Sequence, residues 1–155
     1  MAVLEQLQKL SDERFLAIYT SLGQQGFGPL DGEVAKAMKF RPQAIKKLPM
    51  ERRAKKARSI IEMGRNAELC YELFGSYLVR TKKELVTGFL DATGVEHEDG
   101  MIQNIDRAVP EDGKIEAAVK DLDQKHDPED VTLYLAIAAE QWPEVGKLVE
   151  TWKAR

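Results

Sequence analysis

The residues with the most distinctive chemistry in this sequence are the lysines and arginines of residues 36–58. This segment holds ten Lys or Arg against a single acid, Glu51, although the whole chain carries a net charge of −3. Lysine and arginine attract the phosphates of DNA and RNA, and release of condensed counterions makes such binding depend on salt. The sequence therefore predicts a candidate polyanion-binding set in this segment: Lys46, Lys47, Arg52, Arg53, Lys55 and Lys56.

An opposite excess of charge lies in residues 96–130, which contain twelve acids against four bases. Such asymmetry is typical either of a polyanion-binding face or of two faces that attract each other. The net acidic composition counts against nucleic-acid binding, as does the lack of a helix in which basic residues alternate with Asn, Gln or Ser. Both explanations of the asymmetry stay open at the level of sequence.

Four adjacent residues, Glu96-His97-Glu98-Asp99, have side chains that bind metal ions, and Gly100 follows them. Their order does not match the Asp-x-Asp-x-Asp-Gly pattern of an EF-hand loop, and the spaced terminal Glu is missing. The His-Glu-x-x-His pattern of zinc proteases is missing as well. The segment is therefore predicted to be a solvated acidic loop.

The glycine-rich segment 23–32 and the only cysteine, Cys70, are two further candidates for chemistry. Phosphate-binding loops join a strand to a helix with glycines at set spacing, whereas a helical pattern precedes this segment. It is predicted to connect two helices, with Phe27 turned inward. Cys70 falls on an apolar stripe, where free cysteine behaves as a small hydrophobe. The sequence therefore predicts no catalytic, metal-binding or cofactor-binding residues.

Apolar residues recur every three to four positions along the chain, and no segment shows sustained strand-like alternation. This pattern predicts an all-α fold: one compact domain over residues 1–155 with about eight or nine helices. The longest helical pattern lies near residues 50–80. A straight helix of that length would span roughly 45 Å at about 1.5 Å per residue, so a bend is predicted at Gly64 or Gly75.

Capping residues predict where several helices begin. Ser11, Asp31, Thr81 and Asp127 are suitable N-caps, and the Thr81-Lys-Lys-Glu84 sequence has the form of a capping box. Pro143 is predicted to start the last helix. The helix after Asp127 is apolar around most of its circumference and is predicted to lie at the centre of the core.

The sequence favours a reducing, cytoplasmic location without membrane association. No basic region precedes an apolar stretch at the N-terminus, as a signal peptide would require. The longest apolar run, Leu133–Ala139, is too short to span a bilayer. One cysteine leaves no internal disulfide.

Three hypotheses for function follow. The first is a small helical protein-interaction or regulatory module that binds another protein or itself, with Trp142 and Trp152 as aromatic anchors or as core residues. The second is nucleic-acid binding through the basic segment. The third is an enzyme whose site is assembled from scattered residues and therefore leaves no local motif.

Overall fold

The computed structural model describes residues 1–22, 28–39, 41–104 and 106–155, and these form an all-helical structure. Outside the helices of these ranges, the only β-type pairing is an isolated bridge between Glu98 and Met101. The predicted all-α class is confirmed. The helices in the described ranges are α1 (Ala2–Lys9), α2 (Asp12–Ser21), α3 (Gly28–Ala37), α4 (Pro42–Ile45), α5 (Met50–Gly64), α6 (Ala67–Thr81), α7 (Lys83–Ala92), α8 (Asp112–Lys125), α9 (Pro128–Gln141) and α10 (Gly146–Lys153).

The chain divides into two compact units whose boundary falls within α6. Val3–Tyr77 belong to unit 1, and Leu78–Arg155 belong to unit 2. Helices α2–α5 lie in unit 1, and α7–α10 lie in unit 2. The single domain over residues 1–155 stays a prediction.

The long helical pattern near residues 50–80 consists of two helices. Helix α5 ends at Gly64, one of the two predicted positions, and Arg65 then adopts a left-handed conformation with φ of 48°. The side chain of Asn66 caps the next helix by accepting a hydrogen bond from the Leu69 N–H at 3.1 Å. Gly75 lies inside α6 without interrupting it. The predicted bend is therefore a complete break.

Two predicted helix starts are confirmed by their capping hydrogen bonds. The Ser11 hydroxyl accepts from the Arg14 N–H at 3.0 Å at the start of α2. The Asp127 carboxylate accepts from the Glu129 N–H at 2.9 Å at the start of α9. Each bond satisfies a backbone donor that has no partner within its own helix.

Two other predicted starts are wrong. Thr81 is the last residue of α6 and not a cap, because the helical pattern continues until the Lys82 N–H donates to the Leu78 carbonyl at 2.8 Å. Pro143 lies in a turn with Glu144, and α10 begins only at Gly146.

Asp31 is also not the predicted N-cap. The chain is helical from Gly28, so Asp31 lies within the first turn of α3. Its carboxylate accepts hydrogen bonds from Tyr19 and Arg53 instead of from its own helix. The remainder of the glycine-rich segment, residues 23–27 with Phe27, lies outside the described residues.

The Asp31 carboxylate joins three helices of unit 1, because α5 packs against both α2 and α3. Arg53 is only 1% exposed, and its Nη2 donates to Asp31 Oδ2 at 2.9 Å. The Tyr19 hydroxyl donates to the other carboxylate oxygen, and the Arg53 guanidinium lies 5.9 Å from the Tyr19 ring centroid. Removing a buried charge from water is costly, and this ion pair with its hydrogen bonds offsets the cost.

The same surroundings keep the Tyr19 hydroxyl protonated. Burial of the phenol raises the pKa of Tyr19 well above its ordinary value, and the hydrogen bond to the Asp31 carboxylate raises this pKa further. Loss of the phenolic proton would place a second negative charge beside the carboxylate.

The core of unit 2 is built around α9, as predicted. Nine of the fourteen residues of α9 are buried, and the helix packs against α8 and α10. Trp142 and Trp152 are 1% and 2% exposed, so both are core residues. The Trp142 indole N–H donates to the Ala108 carbonyl at 3.0 Å, which fixes the segment before α8.

Neighbouring arginines on α5 offer a matched test of the buried ion pair. We expect Arg53→Ala to lower the free energy of unfolding by about 3–5 kcal/mol, because it leaves the Asp31 carboxylate without its buried counter-charge. Arg52→Ala alters the adjacent, exposed arginine and should change the same quantity by less than about 0.5 kcal/mol. Urea denaturation followed by circular dichroism measures both values. Equal losses in the two variants would contradict this account.

The raised pKa of Tyr19 predicts a loss of stability at alkaline pH. Above pH of about 10, tyrosine ionises in the unfolded chain, whereas buried Tyr19 keeps its proton. The folded state then binds more protons, so the free energy of unfolding falls as pH rises. In Tyr19→Phe the decline above that pH should be shallower than in the native protein. Urea denaturation across this alkaline range tests the slope, and parallel curves would refute the assignment.

Candidate functional site

Helix α5 separates its basic residues into two groups that face opposite ways. At about 100° per residue, the outward residues lie on the side of the helix opposite the buried ones. The buried side carries Arg53, Ala54, Ala57 and Ile61. The outward side carries Arg52, Lys55, Lys56 and Ser59.

The other two arginines of α5, Arg53 and Arg58, form ion pairs and hydrogen bonds within unit 1. Arg53 pairs with Asp31, as described above. Arg58, at 13% side-chain exposure, donates from Nη2 to the carbonyls of Leu7 and Leu10, both at 2.8 Å. It also pairs with Asp12 at 3.2 Å and with Glu62 at 2.9 Å. Arg58 therefore ties the end of α1 and the start of α2 to α5.

The burial of Arg53 removes this residue from the predicted polyanion-binding set. Its guanidinium lies in the core of unit 1 and already has a carboxylate counter-charge. The inward position of Arg53 could have been predicted from the helical period, because Arg53 lies on the same side of α5 as Ala54 and Ala57. The carboxylate that compensates the charge lies twenty-two residues earlier and has no local signal.

The other five members of the predicted set are accessible and form what we call the basic face: Lys46, Lys47, Arg52, Lys55 and Lys56. Four of them are exposed, and Lys56 is partly exposed. Within the described ranges none of the five forms a hydrogen bond or an ion pair through its side chain. These cations therefore have no direct ion-pair partner within the described part of the chain.

A groove of about 510 Å³ lies between the end of α3 and the outward side of α5. Three cations of the basic face line it together with the partly exposed Met38 and Ser59. Just beyond Met38, Lys39 has a left-handed backbone conformation with φ of 56°, which turns the chain at the end of α3. The Ser59 hydroxyl donates to the Met63 sulfur at 3.4 Å, and a thioether is a weak acceptor.

The predicted acidic loop of unit 2 is a folded hairpin. Asp99 and Gly100 have φ of 54° and 89°, the left-handed conformations of a two-residue hairpin turn. Glu98 and Met101 exchange two backbone hydrogen bonds across it, at 2.8 and 2.9 Å. Lys83 pairs with the Asp99 carboxylate. Local turn chemistry and this ion pair therefore order the segment.

His97 is held at both ring nitrogens. Its Nε2 lies 2.6 Å from Asp91 Oδ1, and its Nδ1 accepts the Gly100 N–H at 2.9 Å. A carboxylate that orients a histidine is common in catalytic sites, where the second nitrogen must be open to receive a proton. In this hairpin that nitrogen is occupied by a backbone donor, which indicates a structural role.

A polar cavity of about 580 Å³ lies beside this hairpin, and its lining includes Glu96, Glu98, Gln103 and Arg107. The described residues around it include no hydroxyl or thiol that would act as a nucleophile. No group of three His, Cys, Asp or Glu placed to share a metal ion occurs in the described ranges. The cavity, which His97 also lines, therefore offers charged and hydrogen-bonding side chains without a hydroxyl or thiol nucleophile among the described lining residues.

Cys70 is fully buried in unit 1, and its thiol contacts the Val3 carbonyl at 3.5 Å. The prediction that it lies on an apolar, inward side of its helix is confirmed. A buried thiol of this kind packs as a small hydrophobe, since a nucleophilic cysteine needs exposure and an activating group.

Comparison with protein-family models, with curated proteins and with solved structures gives no match. No helix in the part of the chain described by the structure combines the length and the apolar character needed to cross a bilayer.

The contacts of His97 predict the position of its ring proton. In the neutral ring we expect the proton on Nε2, because Asp91 accepts a hydrogen bond there while Gly100 donates one to Nδ1. Nitrogen-detected NMR of the histidine side chains reports which ring nitrogen carries hydrogen. In Asp91→Ala this preference should weaken, whereas a native ring protonated on Nδ1 would contradict the structural role.

Proposed function

We propose that this protein is a non-catalytic binding module that uses the basic face of unit 1 to hold an acidic macromolecular partner. One observation carries the proposal: α5 neutralises its inward arginines with carboxylates and leaves its outward cations without counter-charges. Arg53 and Arg58 each have at least one acidic partner, whereas the five residues of the basic face have none among the described residues.

The cations on the outward side of α5 repel one another, and Glu51, four residues before Lys55, offsets only part of this repulsion. Arg52 is three and four residues from Lys55 and Lys56, so these side chains are neighbours on the helix surface. Like charges at such spacing destabilise a helix by about 0.2–0.5 kcal/mol per pair. An acidic partner would relieve this repulsion, which favours binding over a purely structural explanation.

The basic face favours charged contacts with a partner over aromatic ones. Trp142 and Trp152 are buried and offer no aromatic anchor to a protein partner. Binding of a protein, or of a second copy of this chain, would then depend on acidic side chains that meet the basic face. The proposed setting remains a reducing cytoplasm, which the single buried cysteine supports.

A charge-reversal pair tests the proposed function. Native protein should be retained on immobilised heparin at about 0.05 M salt and released as salt rises, because exposed charges are screened at higher ionic strength. Arg52→Glu/Lys56→Glu should elute at markedly lower salt or fail to bind. The matched control, Lys120→Glu/Lys153→Glu, makes the same change in net charge at two exposed lysines of unit 2.

The control separates a local face from overall charge. The proposal predicts that the control variant elutes close to the native protein. Equal shifts in the two variants, or no retention of the native protein, would refute a specific role for the basic face. Circular dichroism of all three proteins confirms that each one folds.

A further inference from the structure

We infer that the groove beside α5 is a seat for a phosphate group of single-stranded nucleic acid. This inference rests on the proposed function and names its partner. The groove lies within unit 1 and brings together three kinds of chemistry: cations from Arg52, Lys55 and Lys56, a hydroxyl from Ser59, and the apolar side chain of Met38.

The three cations suit a phosphate better than a scattered set of surface lysines would. Arg52 lies three and four positions before Lys55 and Lys56, a spacing that places its Cβ atom about 5–6 Å from theirs. Arginine binds phosphate oxygens through two parallel N–H bonds, and lysine adds a compact positive charge. Lys46 and Lys47, in the turn before α5, are two further exposed cations of unit 1.

Ser59 supplies a hydrogen-bond donor whose present hydrogen bond is weak. Its hydroxyl donates to the sulfur of Met63, a residue that is 85% exposed. Rotation of the hydroxyl towards the groove would replace this weak bond with a charge-assisted bond to a phosphate oxygen. Such bonds are roughly twice as strong as bonds between neutral groups.

The lining of the groove favours a nucleotide over an acidic peptide. It joins three cations to the hydroxyl of Ser59 and the apolar side chain of Met38. Met38 provides an apolar surface next to the cations, as a nucleotide requires because it carries a base close to its phosphate. Only unpaired strands expose the faces of their bases, so a single strand fits this combination.

The test compares three labelled probes by fluorescence anisotropy over a range of salt: a single-stranded oligonucleotide, the corresponding duplex and a polyglutamate peptide. Native protein should bind the single strand more tightly than either of the other probes. Lys55→Gln/Lys56→Gln should reduce the slope of log affinity against log salt by up to about 0.7, the contribution of one neutralised phosphate on a single strand. The control pair Lys120→Gln/Lys153→Gln should keep the native slope.

Ser59→Ala separates phosphate recognition from general attraction between charges. It removes one hydroxyl without changing charge, and alanine is favourable in a helix. We expect it to weaken single-strand binding about tenfold at fixed salt, the effect of one hydrogen bond to a charged group. Polyglutamate binding and the salt slope should stay unchanged.

The other outcomes distinguish a failure of the phosphate site from a failure of the proposed binding function. If polyglutamate binds as tightly as the single strand and Ser59→Ala changes neither, the phosphate seat is refuted while the binding module stands. Duplex binding equal to single-strand binding refutes the choice of a single strand. If none of the probes binds at physiological salt, both the seat and the proposed function are refuted.

Discussion

The ion pair between the buried Arg53 and the partly buried carboxylate of Asp31 is the constraint on which the arrangement of unit 1 depends. The carboxylate accepts hydrogen bonds from Tyr19 and Arg53 and thereby connects α2, α3 and α5. A rotation of α5 by one residue would bury Arg52 in place of Arg53, without the carboxylate geometry that compensates the charge. Since an uncompensated buried charge costs several kcal/mol, the ion pair fixes which side of α5 faces solvent.

That orientation creates the basic face. With Arg53 inside, the helical period turns Arg52, Lys55 and Lys56 outward together. Their mutual repulsion is a local conflict with stability, and natural sequences keep such conflicts mainly at functional sites. The structural ion pair and the proposed binding surface are thus two sides of one helix. The hydroxyl of Ser59 and the thioether of Met38 add directional and apolar contacts to the charge.

Sequence by itself determined the features that depend on neighbouring residues. Helical periodicity gave the all-α class and the burial of Cys70, because the apolar side of a helix repeats every three to four residues. The Ser11 and Asp127 caps were predictable because their hydrogen bonds reach only two or three residues along the chain. The central position of α9 followed from its apolar circumference. Arg52, Lys55 and Lys56 turn away from the apolar side of α5 for the same reason of periodicity.

Only the tertiary structure decided the features that depend on distant partners. Asp31 has the side chain of a typical helix cap, but contact with α2 and α5 gives its carboxylate another role. Arg53 lies on the apolar side of α5 by helical period, but only the carboxylate of Asp31, twenty-two residues earlier, compensates the burial of its charge. The capping sequence at Thr81 was outweighed by the continuation of α6. Local sequence specifies where helices form, whereas long-range charge pairing specifies which of their polar residues are buried.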